Sequence, residues 1–273
     1  MKKLLKILGL TLCALGTAWT AHATVVTIPQ SALTPSTQYY TDIIGGGIGS
    51  SVMARNDDHS TGALSLGFTL PFFGQNYTQF YINNNGNITF NGPLGSFTPS
   101  GPQGATQPII SPFFADVDTR NSASGLVYLR NDITNQIIVT WDQVGYFASH
   151  ADKLDSFQLV LRGPGYAVPV GEGNIGFFWK TMQWETGDAS GGSGGFGGTE
   201  AAVGFGDGLS NGEILQGSTL AGISGVVNNH HIWFDPNLRP IDNNTNTVPE
   251  PSTFILFGAG LAGFGLLRRK FKR

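Results

Sequence analysis

Gln79-Phe80-Tyr81-Ile82-Asn83-Asn84-Asn85-Gly86-Asn87-Ile88-Thr89-Phe90 is the stretch that decides how this chain folds. Two short runs rich in aromatic and β-branched residues flank an Asn-rich tetrad. The Asn-Gly step closing that tetrad favours positive φ, so the segment predicts a β-hairpin. The same grammar recurs outward from it. Leu66-Gly67-Phe68-Thr69-Leu70-Pro71-Phe72-Phe73 precedes it. Gly125-Leu126-Val127-Tyr128-Leu129-Arg130 and Gln136-Ile137-Ile138-Val139-Thr140-Trp141 flank a second turn. Ser156-Phe157-Gln158-Leu159-Val160-Leu161 alternates polar and apolar positions, the mark of a half-buried strand. Residues 174–179 and 201–205 continue the series. No stretch between residues 24 and 247 sustains a long apolar period of 3.6. Strands at this density, each closed by turn residues, predict an all-β antiparallel sandwich, with a barrel as the alternative.

Around this β domain, placed at residues 59–235, the chain changes character. Residues 24–58, with Gly45-Gly46-Gly47, are less regular and read as a lead-in arm over the core. Residues 187–198 form a Gly/Ser tract with one aromatic, Phe196, and read as a flexible surface loop. Residues 236–247, with Pro236, Pro240, Asn243 and Asn244, read as a linker.

Both ends read as addresses. Met1-Lys2-Lys3-Leu4-Leu5-Lys6 is basic, an apolar run follows, and Ala21-His22-Ala23 is a small-x-small cleavage site. Residues 1–23 therefore predict a signal peptide, with a mature chain starting at Thr24. At the other end, Val248-Pro249-Glu250-Pro251 precedes the uncharged, apolar residues 252–267 and then Arg268, Arg269, Lys270, Lys272 and Arg273. As a helix that run reaches only about 24 Å, short of a hydrocarbon core of roughly 30 Å. Its glycines weaken it further, and the basic end resists crossing. The order of Pro-Glu-Pro, hydrophobic helix and basic end over residues 248–273 resembles the PEP-CTERM sorting tail. The resemblance implies recognition and cleavage by an exosortase, with transient anchoring in the inner membrane.

Composition bounds what lies between. Residues 24–247 keep 7 of the 15 Lys and Arg and 17 of the 18 Asp and Glu, a formal charge of −10 against −3 for the whole chain. Such a surface repels nucleic acid and suits cations or basic partners. The single cysteine, Cys13, falls in the signal segment, so stability rests on packing and not on disulfides.

Several segments in order resemble the NIDO domain, the nidogen-like extracellular module. They are Ile110-Ser111-Pro112-Phe113-Phe114-Ala115-Asp116-Val117-Asp118-Thr119-Arg120, then Gly125-Leu126-Val127-Tyr128-Leu129-Arg130, then Ile138-Val139-Thr140-Trp141-Asp142-Gln143-Val144-Gly145-Tyr146, then Asp155-Ser156-Phe157-Gln158-Leu159-Val160-Leu161, then Ile175-Gly176-Phe177-Phe178-Trp179 with Trp184, and finally Ala202-Val203-Gly204-Phe205-Gly206-Asp207-Gly208. Phe114 stands where the family pattern has Trp, and the cysteines of the animal modules are missing. The resemblance implies an extracellular interaction module with an adhesive role and no known catalytic residues.

The residues offer two candidate sites. Asp116 and Asp118 lie on one side of an extended strand, about 7 Å apart, an arrangement suited to calcium, which takes six to eight oxygens. In the competing account Asp116 caps a turn and Asp118 pairs with Arg120 or Arg130. The neighbouring Asn56-Asp57-Asp58-His59 reads as a solvated turn. Trp179 and Trp184, nearest the Gly-rich tract, are the aromatics best placed for exposure and sugar stacking, although alternating aromatics in strands are more often core. His230 and His231 are adjacent and face opposite ways on a strand, and no His-Glu-x-x-His or Gly-x-Ser-x-Gly pattern occurs. The sequence thus predicts an exported, non-enzymatic surface or biofilm-matrix protein whose partners are matrix polysaccharide or surface proteins. The alternative is a secreted enzyme acting on matrix polysaccharide with two of Glu172, Glu185 and Glu200 as its carboxylate pair.

Overall fold

The computed structural model describes residues 24–241. Fifteen strands follow one another: β1 (Val25–Ile28), β2 (Thr34–Pro35), β3 (Ser50–Ser51), β4 (Leu64–Phe72), β5 (Gln75–Asn83), β6 (Asn87–Thr89), β7 (Pro108–Phe114), β8 (Val117–Asp118), β9 (Leu126–Arg130), β10 (Gln136–Tyr146), β11 (His150–Arg162), β12 (Ile175–Thr181), β13 (Ala202–Asp207), β14 (Gly212–Leu215) and β15 (His230–Phe234). Two five-residue helices, α1 (Tyr40–Ile44) and α2 (Ile223–Val227), interrupt them. One sheet runs β1-β14-β13-β7-β6-β5-β4, the other β2-β15-β12-β11-β10-β9-β3, with β8 on β10. Every pairing is antiparallel except β1 with β14. This is the expected sandwich.

The two sheets close on an aromatic core. Phe113 of one sheet meets Phe157 of the other at 5.6 Å, and Phe177 meets Phe205 at 5.2 Å. Trp141 stacks on Phe157, 5.1 Å between centroids. Two indoles also tie the layers by hydrogen bonds. Trp179 Nε1 donates to the Pro112 carbonyl at 2.9 Å, and Trp141 Nε1 to the Asn84 carbonyl at 3.0 Å. A buried Trp needs such an acceptor, and here the facing layer supplies it, from β7 for Trp179 and from the β5–β6 turn for Trp141.

One local reading is kept with a burial it did not state, and two are revised by the packing. The Asn83–Gly86 turn forms, with Gly86 at φ +73°, yet residues 82–90 are all buried. Its amide N–H groups are bonded internally: Asn83 Nδ2 donates to Asn87 Oδ1 at 2.7 Å, and Asn84 Nδ2 donates to the Val117 carbonyl, while Asn84 Oδ1 is buried without a partner. Strand β11 is not half-buried, because residues 155–162 are covered on both faces. The outer cover includes α1, whose Tyr40 packs with Ile138, Val160, Phe178 and Trp233, while Gln158 Nε2 donates to Thr41 Oγ1 and Thr140 Oγ1 at 2.8 Å each. Arg162 is buried beside them, donating to Gln136 Oε1 and the Gly173 carbonyl at 2.8 Å and lying 4.3 Å from the Trp233 ring. Finally, residues 24–58 do more than drape over the core: α1 covers the outer face of β11, while β1, β2 and β3 join the sheets as strands.

Candidate functional site

The most unusual chemistry gathers where the 55–59 loop meets the chain around β8. Several local bonds fix that meeting. Asn56 Oδ1 accepts the His59 N–H at 3.0 Å, an Asx-type turn. Asp58 then sits at φ +64°, a region that Asp tolerates better than most residues. Asn56 and Thr119 exchange backbone bonds through the Thr119 N–H and, by its hydroxyl, the Asn56 N–H, both at 2.9 Å. The Arg55 guanidinium donates to the carbonyls of Thr119, Asn121, Ser122 and Ser124, holding the 119–124 turn in place. Asp57 bridges to Asp118 across the resulting seam.

Four carboxylates meet there, and they are not equivalent. Asp118 is fully engaged: Arg120 Nε approaches both its oxygens (2.9 and 3.0 Å), and the backbone N–H groups of Arg120 and Ser149 donate at 2.9 and 2.7 Å. Burial pushes its pKa up, but the Arg120 side chain and these backbone bonds outweigh that and hold it below the usual carboxylate value. Asp116 is the opposite case. It is 1% exposed, and neither carboxylate oxygen has a hydrogen-bond partner. Burial, then the charges of Asp57, Asp58 and Asp118, raise its pKa to about 7, with Arg120 offsetting only part. Asp57, raised to about 6 first by burial and then by Asp118 and Asp58, receives Arg120 Nη2 on Oδ2 at 2.8 Å, while its Oδ1 is buried and unpartnered. Asp58 Oδ1 accepts Asn85 Nδ2 at 2.7 Å. One oxygen from each of Asp57, Asp58 and Asp116 lies within 4.8 Å of the others. Gly187 closes the rim, since a Cβ there would run into the Asp116 side chain.

The pair Asp116 and Asp118 therefore separates: Asp118 pairs with Arg120, and Asp116 turns to the 57–58 loop. Asp116 does not cap a turn with its side chain. The convergence with Asp57 and Asp58 is invisible to strand spacing. Its one sequence trace is that Asp57-Asp58 is the only adjacent acidic pair in the chain.

Trp179 and Trp184 are corrected. Both are 0% exposed, so neither offers a ring face to a sugar. The Gly/Ser tract causes this for Trp184: it folds back so that Gly195 lies against the Trp184 side chain, and the Gly195 carbonyl accepts the Glu185 N–H. Glu185 itself is consumed by α2, accepting the N–H groups of Gly222 and Ser224 at 2.7 and 2.8 Å, and Glu172 pairs with the buried Arg162. His230 bonds the Asn228 carbonyl, whereas His231 stacks on Phe178. A polar hollow of about 280 Å³ is lined by Asp142, Gln143, Ser156, Lys180, Thr181 and Gln183. Thr24 is held by its backbone N–H on Asn211 Oδ1 at 2.8 Å. Ala21, Ala23 and Val248-Pro249-Glu250-Pro251 lie outside the described residues. Among the described residues no helix is long and apolar enough to cross a membrane.

Comparison with known proteins adds the following. Residues 32–245 match the family described as NIDO related, and residues 247–270 match the PEP-CTERM protein-sorting motif. Mouse alpha-tectorin is 33% identical over 192 residues, covering 59% of this chain and 8% of the relative. Drosophila melanogaster nidogen is 28% identical over 245 residues, covering 74% of this chain and 17% of the relative. Mouse nidogen-2 is 27% identical over 144 residues, covering 41% of this chain and 10% of the relative. The chain thus spans less than a fifth of the length of these relatives. No solved structure matches.

Proposed function

Because this chain belongs to the NIDO-related family, over residues 32–245, and carries a PEP-CTERM protein-sorting motif directly behind it, we propose that it is a non-enzymatic adhesive protein of the cell surface or biofilm matrix. Export and exosortase-dependent sorting follow from the motif. Adhesion is the finer step. What supports it is the adjacency itself, an interaction-type domain joined by a few residues to a sorting address. The Glu172 and Glu185 that an enzyme reading needs are held in structural bonds.

The contact surface we assign is the hollow lined by Lys180, Gln183 and Asp142, a concave polar surface with donors and acceptors for sugar hydroxyls or a partner backbone. Its test has two arms. Replacing Pro249-Glu250-Pro251 by alanines is expected to leave the protein in the inner-membrane fraction; unchanged release overturns the sorting scheme. Replacing Lys180 and Gln183 by alanine in the normally sorted protein is expected to reduce cell-to-matrix cohesion and binding to isolated matrix polysaccharide or surface protein. Unchanged cohesion in that variant and in cells lacking the protein overturns the adhesive role.

A further inference from the structure

We propose that Asp57, Asp58 and Asp116 form a calcium-binding site that clasps the 55–59 loop to the chain entering β8. The cluster alone would not carry this. The decisive feature is Asp116, a carboxylate 1% exposed, aimed into the cluster, with both oxygens unpartnered. A buried carboxylate without donors is costly, and native proteins seldom leave one so. Nothing local supplies the missing charge. Arg120 is already committed to Asp118 and to Asp57 Oδ2, and Arg55 spends its donors on four carbonyls of the 119–124 turn.

Donor chemistry and coordination geometry select the ion. The three donors are carboxylate oxygens, with no His or Cys among them, so the ion is hard. The three oxygens lie within 4.8 Å of each other, close enough to converge on one ion. Small side-chain adjustments suffice to bring all three onto one ion with the flexible coordination that calcium accepts. Magnesium demands a near-regular octahedron at about 2.1 Å and keeps several of its waters, whereas calcium takes six to eight oxygens in flexible geometry, which suits this irregular carboxylate set. Asp57 and Asp58 are half-buried, which leaves one side for the water ligands that complete six to eight oxygens. The Asx turn at Asn56, the Asn56–Thr119 pair and the Asn85–Asp58 bond hold the donors in place before any ion arrives. Asp118 is excluded as a ligand by its own bonds to Arg120 and Ser149. The competing account is a proton shared among the three carboxylates, which answers to pH and not to calcium. The inference stands whether or not the export scheme holds.

The test uses the purified mature protein in chelator-treated buffer, titrated with calcium chloride against magnesium chloride and sodium chloride of equal ionic strength. Calorimetry is expected to give a Kd of about 0.1–1 mM, the range of extracellular modules. Thermal unfolding is expected to rise by roughly 5–10 °C at a hundredfold excess over Kd. Asp116→Asn should weaken calcium binding at least tenfold and lose the thermal shift, while melting no lower than the unsubstituted protein in chelator. That last readout separates a ligand from a structural residue. Asp58→Asn, at a half-buried position, serves if Asp116→Asn does not fold, and Asp188→Asn, outside the cluster, should keep the full shift. No calcium-specific shift, an equal shift with magnesium, or a full shift in Asp116→Asn or its substitute overturns the proposal.

Discussion

Asp155 shows how much one buried carboxyl governs here. Its Oδ1 accepts the backbone N–H groups of Gln183 and Trp184 at 2.6 and 3.2 Å, and its Oδ2 is buried without a partner. Burial raises its pKa well above the usual carboxylate value. The two backbone bonds pull the other way without cancelling that rise, and the charge of Glu185 adds to it. The folded chain therefore keeps a proton that the unfolded chain releases above about pH 4. Asp155 contributes its stability in full below that pH and loses it as pH rises towards the raised folded value, by up to ~1.4 kcal/mol per pH unit. Asp155→Asn keeps the acceptor for both N–H groups and removes the titration. Urea midpoints measured from pH 4 to 8 should show the difference between Asp155→Asn and the unsubstituted protein growing in the variant's favour with pH; parallel profiles would refute this. The same residue marks a limit of sequence reading. Asp155 sits at the head of a stretch whose alternation predicts one wet face, and only the coverage of β11 on both sides, partly by α1, removes that face.

At the scale of elements, the 79–90 hairpin is the informative case. Gly86 combines φ +73° with a Cβ position that falls on the Phe113 carbonyl of β7 and approaches the Phe157 ring. Gly67, in β4, has a similar φ of +76° but nothing within 4 Å of that position. Gly67→Ala should therefore carry only the left-handed penalty of about 1 kcal/mol. Gly86→Ala adds displacement of a core strand and should cost at least about 3 kcal/mol, lowering the urea midpoint by roughly 1 M or more. Equal midpoints for the two variants would show that the turn is not locked against β7. The contrast explains what the sequence could and could not disclose. Strand identity comes from local composition, so β4, β5, β6, β9, β10, β11, β12 and β13 were readable from their residues. Whether a turn faces water depends on what the rest of the chain lays over it. The Asn83–Asn85 side chains look solvated by type, yet they are buried where their amides meet Asn87, Val117 and Asp58. The cluster of Asp57, Asp58 and Asp116 was hidden for the same reason. Asp57 and Asp116 are brought together by the Arg55 clamp and the Asn56–Thr119 pair, contacts that no periodicity encodes.

For the whole molecule, the charge distribution makes processing measurable. Residues 24–247 carry 7 basic and 17 acidic side chains, whereas the outer segments hold the remaining 8 basic residues and one acidic residue. Cleavage after Ala23 would leave β1 intact and turn the Thr24 N–H that donates to Asn211 Oδ1 into an ammonium making the same bond. A cut only a few residues further on would remove β1 and expose the edge of β14, which β1 covers over Gly212–Leu215. A chain beginning at Thr24 would thus keep β1 in its sheet. At the other end the last strand, β15, closes at Phe234, and a bridge from Phe234 to Pro240 follows it. A cut within residues 248–251 would therefore leave every strand of both sheets in the released chain. The intact mass of protein recovered from the medium or cell surface should correspond to a chain beginning at Thr24 and ending between residues 247 and 251, with a formal charge near −10. In cells lacking exosortase the same measurement on the membrane fraction should find Arg273 still attached. Released protein that retains Arg273, or that lacks Val25–Ile28, would show that the two terminal segments are not the removable addresses that their composition indicates.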